Sequence, residues 1–135
     1  MIRVLRCAMV GLAVLFLAQA AWAGSFIRKN GSIVAELDGK YLRQSGSIIA
    51  EFDGKYLRVN GSIVAEHDGK YVRKNGSIVA EIDGKTVRKN GSIVWEIEEN
   101  GTVRKNGSIL YTVDDFTGSD EMRWRVVAFL LFFAT

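Results

Sequence analysis

Acidic, basic and aromatic side chains recur through this chain at fixed intervals, and any chemistry it performs must start from them. Glu36, Glu51, Glu66, Glu81 and Glu96 follow one another at a constant spacing, accompanied by Arg43, Arg58, Arg73, Arg88 and Arg104. Arranged around an axis, each set would form a ring, and a ring of carboxylates can hold calcium or a polar ligand. The simpler account is cross-strand charge balance on a solvated sheet face. Tyr41, Tyr56 and Tyr71 share the outward face with these carboxylates. Aromatic rings beside carboxylates suit a carbohydrate-binding surface. The five glutamates and three tyrosines together form the candidate ligand face.

Other reactive side chains point nowhere. His67 is the only histidine, and it stands where other repeats carry Leu37, Phe52, Ile82 and Ile97. With no second imidazole and no nearby thiol, a transition-metal site lacks ligands. A serine follows glycine in every repeat (Ser32, Ser47, Ser62, Ser77, Ser92, Ser108), but no general base recurs with it. Asp38, Asp53, Asp68 and Asp83 are residues a tight turn demands. The reading is therefore non-enzymatic, with no catalytic, cofactor or metal residue assigned.

The elements that position these groups come from an internal repeat. Gly-Ser-Ile recurs at Gly31, Gly46, Gly61, Gly76, Gly91 and Gly107, with four spacings of 15 residues and a last one of 16. Asp-Gly and Asn-Gly punctuate each unit, and both are strong hairpin signals. No segment inside the repeats is long enough for an ordinary helix, so the repeat region is all β. An odd period needs an odd loop or a bulge, because side chains alternate with period two. The economical solution makes Asp83-Gly84 a two-residue turn and Lys89-Asn90-Gly91 a three-residue loop ending in a bulge glycine. Strands then cover Ser77–Ile82 and Lys85–Arg88. Ile78, Ala80, Ile82 and Val87 share the core face, while Val79, Glu81, Thr86 and Arg88 share the outer one, with Glu81 opposite Thr86.

Strands this short leave exposed edges in an open meander. Pairing a leading strand, Phe26–Arg28, with a trailing one, Ser108–Val113, would close the sheet into a radial ring of hairpins.

Phe26-Ile27-Arg28-Lys29-Asn30-Gly31-Ser32-Ile33-Val34-Ala35-Glu36 resembles the recurring phrase of the five-fold β-flower proteins. So do Val72–Ile78 and Val103–Ile109. The run from Met122 to Phe133 is similar to the apolar, Phe-rich ending of that family. The resemblance implies small hairpins set as petals around an axis, and brings no catalytic or binding residues with it. The chain departs from the pattern in its six Gly-Ser-Ile units and in the inserted residue within Glu98-Glu99-Asn100-Gly101.

Two further segments flank the repeats. Residues 1–23 read as a cleavable signal peptide: Arg3 and Arg6 lead an apolar run from Cys7, which ends in Ala21-Trp22-Ala23. Without those two arginines the balance is 16 basic residues to 15 acidic, too even for the positive field that nucleic acid requires. Residues 24–113 form the hairpin domain, in units 31–45, 46–60, 61–75, 76–90, 91–106 and 107–113. Residues 114–135 form a C-terminal capping segment, helical in part from a Ser119 N-cap.

Its apolar stretch, Val126–Ala134, is too short to cross a membrane. It either completes the core near Trp95 and Tyr111, or anchors the protein in lipid with Trp124, Phe129, Phe132 and Phe133 at the interface. The expectation is an exported, periplasmic or extracellular structural or binding module. Its partner would be a glycan, another envelope protein, or a membrane reached through the tail.

Overall fold

A computed structural model describes residues 24–134; the signal-peptide reading of residues 1–23 lies outside them. The first six strands are β1 (Ser25–Lys29), β2 (Ser32–Asp38), β3 (Tyr41–Gln44), β4 (Ser47–Asp53), β5 (Tyr56–Val59) and β6 (Ser62–His67). Then come β7 (Tyr71–Lys74), β8 (Ser77–Asp83), β9 (Thr86–Lys89), β10 (Ser92–Ile97), β11 (Thr102–Lys105) and β12 (Ser108–Val113). A helix, α1 (Asp120–Phe132), ends the described chain. Each strand pairs antiparallel with its sequence neighbours, and β12 returns to β1, so the sheet is a closed barrel. The closing seam pairs Ile27 with Val113 and Arg28 with Thr112, and the Asp114 amide donates to the Phe26 carbonyl. Twelve strands make six hairpins, one for each Gly-Ser-Ile unit.

The odd period is absorbed inside the strand and not in the loop. Asn-Gly is a two-residue turn with both residues left-handed, φ 53° at Asn30 and 82° at Gly31. This is a type I′ turn, whose twist matches the strands it joins. Lys29 and Ser32 pair directly across it, as Lys89 and Ser92 do across Asn90-Gly91. The extra residue sits two positions further on. Leu42 pairs with Ala50 and Arg43 with Ile48, so Ile49 is the bulge. At the other end Asp38 pairs with Tyr41, which makes Gly39-Lys40, not Asp-Gly, the turn pair. Gly39 has φ 60°, the glycine-first arrangement of a type II′ turn. This shift sets Glu81 opposite Arg88, not Thr86.

The bulge changes the face of one residue per repeat. Ile33, Ile48, Ile63, Ile78, Ile93 and Ile109, expected inside, are half-exposed on the outer wall. The bulge residues Val34, Ile49, Val64, Val79 and Val94 instead lie partly buried against the core.

Inward side chains form three layers. Ile27, Leu42, Leu57, Val72, Val87 and Val103 are each 0% exposed. A second layer holds Leu37, Phe52, His67, Ile82, Ile97 and Val113. The third holds Ala35, Ala50, Ala65, Ala80, Trp95 and Tyr111.

Helix α1 fills the space they enclose. Val126, Val127 and Ala128 are consecutive, point about 100° apart, and are all fully buried, so the helix has wall on every side. Its three neighbouring residues confirm the wrapping. Arg123 donates to the Ile97 carbonyl (2.9 Å), Trp124 packs edge-on to Phe52, and Arg125 donates to the Gly39 carbonyl. Further along, Phe129 packs edge-on against Tyr111, and the Phe132 ring reaches Lys74 near the Asn-Gly end. The apolar tail thus packs through the barrel and does not merely cap its rim. Ser119 caps the helix by accepting from the Met122 amide at 3.1 Å, and Asp120 and Glu121 occupy the electropositive first turn.

Candidate functional site

Outward residues of neighbouring strands line up in tilted stripes. One stripe runs Asp38, Tyr41, Glu51, Arg58, Ile63, each directly opposite the next across the ladder. The next repeats it as Asp53, Tyr56, Glu66, Arg73, Ile78. Four of the eight candidate ligand-face residues, Tyr41 with Glu51 and Tyr56 with Glu66, therefore meet as cross-strand pairs in these two stripes.

Each member already has a partner in the protein. Glu51, Glu66 and Glu81 bind Lys40, Lys55 and Lys70 at 3.1, 3.2 and 3.3 Å. These hydrogen bonds raise the three lysine pKa values, and nearby tyrosines and carboxylates add to the effect. Tyr41, Tyr56 and Tyr71 each have a lysine and an arginine over the ring, at 5.4–5.9 Å from its centre. The lysines gave no signal in the sequence beyond filling a turn. Glu36 pairs across the ladder with Arg43, and Glu96 with Arg104.

The arginines act as struts along the outer wall. Arg43 donates to Asp38 at one end of its hairpin (3.0 Å) and to the Gly46 carbonyl at the other (3.4 Å). Arg58 and Arg104 repeat the pattern. The same bond from Arg73, at 2.9 Å, holds the Asp68 carboxyl below its ordinary range. The glutamates face outward around a barrel, so their carboxylates diverge. Among the described residues no group of three or more His, Cys, Asp or Glu converges on a metal position.

The stripes floor a set of equivalent clefts. Strands β4 and β5 pair only from Glu51–Arg58 down to Asp53–Tyr56. Beyond that pair, the two hairpins part, and their tips, Ser45-Gly46 and Asn60-Gly61, stand free of each other. The opening over β4 is about 210 Å³ and is lined by Tyr41, Ile48, Ile49, Glu51, Arg58 and Asn60. Its counterpart over β8 is lined by Tyr71, Ile78, Val79, Glu81, Arg88 and Asn90. A third, over β10, measures about 290 Å³, with Trp95 beside Ile93, Glu96 and Arg104. Their aliphatic walls were missed in the sequence because Ile48 and Ile78 read as core.

The remaining candidates belong to the helix. Trp124 and Phe129 are buried in the barrel, and Phe132 and Phe133 lie half-buried at its end. His67 stacks on Trp124, ring centres 5.1 Å apart, beside Asp68 and Asp120 at the mouth where α1 enters. Its Nε2 is buried without a hydrogen-bond partner. Burial lowers the His67 pKa, and the Asp68 charge, the Gly69 backbone and Asp120 oppose the shift only in part.

An unfolded chain, with its imidazole near the ordinary 6.5, then takes up the proton first. Stability is full above that value and falls as the pH drops through it towards the lowered folded value. Thermal melts from about pH 8 to about pH 5 should show this decline, and His67→Leu should flatten it. An unchanged slope in the variant would mean that His67 is not its source.

No protein-family model matches the chain, and no curated protein or solved structure is significantly similar to it.

Proposed function

We propose that this chain is an exported, non-enzymatic binding module that holds its ligand multivalently through the clefts between its hairpins. The observation that carries the reading is repetition. The same wall of bulged aliphatic residues, glutamate, arginine and Asn-Gly tip recurs over β4, β8 and β10. Similar weak sites repeated on one barrel suit a ligand that is itself repetitive, because each later contact is made at high effective concentration. Export rests on the charged start, apolar run and Ala21-Trp22-Ala23 of the first 23 residues.

A repetitive glycan fits these clefts best. Each floor offers a carboxylate and a guanidinium as paired acceptor and donor for hydroxyls, with a tyrosine ring at its edge in two of the three. The lysine and arginine over each tyrosine limit stacking on its face, so hydrogen bonding would dominate.

A glycan array tests the reading, followed by titration of any retained sugar. Retention should require a polymer or a densely displayed glycan, and the stoichiometry should exceed one site per chain. Replacing Arg58 and Arg88 with Gln should weaken retention at least tenfold, since each removes a hydrogen bond from a charged donor. An array without retained glycans, or a single site unaffected by those changes, would overturn it.

A further inference from the structure

The two mouths of the barrel differ in charge and in surface apolarity. Every aspartate of the chain lies towards the mouth where α1 enters, in the Gly-Lys turns, after β12 or at the helix start. The Asn-Gly mouth carries no carboxylate in any hairpin tip. It carries Lys29, Lys74, Lys89 and Lys105, each next to an Asn-Gly pair. Lys29 reaches over Tyr111 and Lys74 over Phe132, so both lean across the opening in which the electronegative helix end sits.

Just behind these tips runs the ring of six isoleucines, 49–58% exposed. All six occupy one register position, opposite the outward arginine, and so lie at one height on the barrel. Six apolar side chains at one level need a partner that meets them all at once. A protein partner would need matching rotational symmetry, whereas a lipid surface is uniform in its own plane. Two Asn-Gly mouths facing each other would bring like charges together, and head-to-tail stacking would leave an open chain of molecules.

We propose that the Asn-Gly mouth docks on an anionic lipid bilayer, with its lysines among the headgroups and its isoleucine ring at the edge of the acyl region. The ring stands two residues behind the tip, roughly 7 Å at the usual rise per strand residue. That is within the ~5–10 Å to which interfacial elements sink. The helix end adds half-buried Phe132 and Phe133 at the same mouth. This docking shares the isoleucine walls of the clefts but not their glutamates, and it does not depend on a glycan ligand.

Co-sedimentation with vesicles tests it, using the protein as recovered from expressing cells. Mixed phosphatidylcholine–phosphatidylglycerol vesicles should retain the protein, less so as salt is raised, and phosphatidylcholine alone should not. Replacing all four lysines with Gln should weaken retention on the order of several hundredfold, from roughly fivefold per lysine near a charged surface. Ile48→Thr with Ile78→Thr should weaken it about tenfold while leaving the melting temperature in place, because these side chains are not in the core. Glu51→Gln with Glu81→Gln, which alters two cleft floors and removes no positive charge, should not weaken vesicle retention, so failure here and failure of the glycan reading are separable. Absence of retention on the mixed vesicles would overturn the proposal. So would retention unchanged by the lysine substitutions, or lipid-free self-association abolished by those same substitutions.

Discussion

Removal of Val126–Phe133 is expected to leave a chain that cannot hold the barrel closed. Eight strands already make a barrel that inward side chains can fill, and wider ones enclose open space. Here twelve strands surround a lumen whose inward positions include four alanines, Ala35, Ala50, Ala65 and Ala80. Those small side chains make room for α1, and α1 is what keeps the lumen dry. Val126, Val127, Phe129 and Leu130 are all at least 95% buried, and each contributes roughly 1.5–3 kcal/mol on transfer from water. Their sum rivals the ~5–15 kcal/mol by which a domain is stable at all. The truncated protein should therefore be unfolded or aggregated at ambient temperature by circular dichroism and size exclusion. A milder change, Phe129→Ala, should cost about 3–5 kcal/mol and lower the melting temperature by more than ten degrees. Were the tail a lipid anchor only, both proteins would melt as the intact one does.

How much of this was legible depended on which features have a single physical solution. Alternation of apolar and polar residues, Asn-Gly turns and the absence of any helix-length segment in the repeats allow little besides a hairpin sheet. The need to remove two edges then points to Phe26–Arg28 meeting Ser108–Val113, and Arg28 does pair with Thr112. The register was a different matter. A period of 15 residues is satisfied equally by a three-residue loop and by a two-residue turn with a bulge inside the strand. The two solutions disagree about Ile78, and an isoleucine in an alternating run looks like core. What decides is the left-handed preference of Asn90 and Gly91 together, which favours the type I′ turn and pushes the odd residue to Val94.

The tail shows a similar ambiguity. Ser119 and its two acids announce a helix start. The all-round apolar run that follows suits a helix enclosed in a barrel and a helix end buried in lipid equally well. The candidate ligand face was legible as residue types. Its lysine partners were not, because Lys40, Lys55 and Lys70 reach Glu51, Glu66 and Glu81 only once the turn pair is Gly-Lys.

The second large effect is expected at the one place where the repeat length changes. Gly101→Ala should lower stability by about 3 kcal/mol or more, while Gly91→Ala should cost about 1–2 kcal/mol. Both glycines are left-handed, φ 92° and 82°, so both pay the strain of placing a side chain there. They differ in their surroundings. A Cβ on Gly91 meets nothing within 4 Å, whereas one on Gly101 would collide with the Val113 carbonyl oxygen and lie 2.8 Å from Phe116 Cβ. The backbone is fixed there because the Val113 amide donates to the Gly101 carbonyl at 2.9 Å.

The inserted residue of Glu98–Gly101 explains why the fit is so close. It lengthens this turn beyond its four counterparts, and the longer turn carries Glu99 to within 3.6 Å of Arg123. Arg123 in turn lies over the Phe116 ring and bonds the Ile97 carbonyl, so the turn, the chain leaving β12 and the first turn of α1 lock together. The break in the repeat is thus where the helix is received into the barrel, and a methyl group there wedges strand β12 away from it. Thermal melts of the two single variants decide the matter. A drop for Gly101→Ala no larger than that for Gly91→Ala would mean that this junction can relax, and that the inserted residue serves the turn alone.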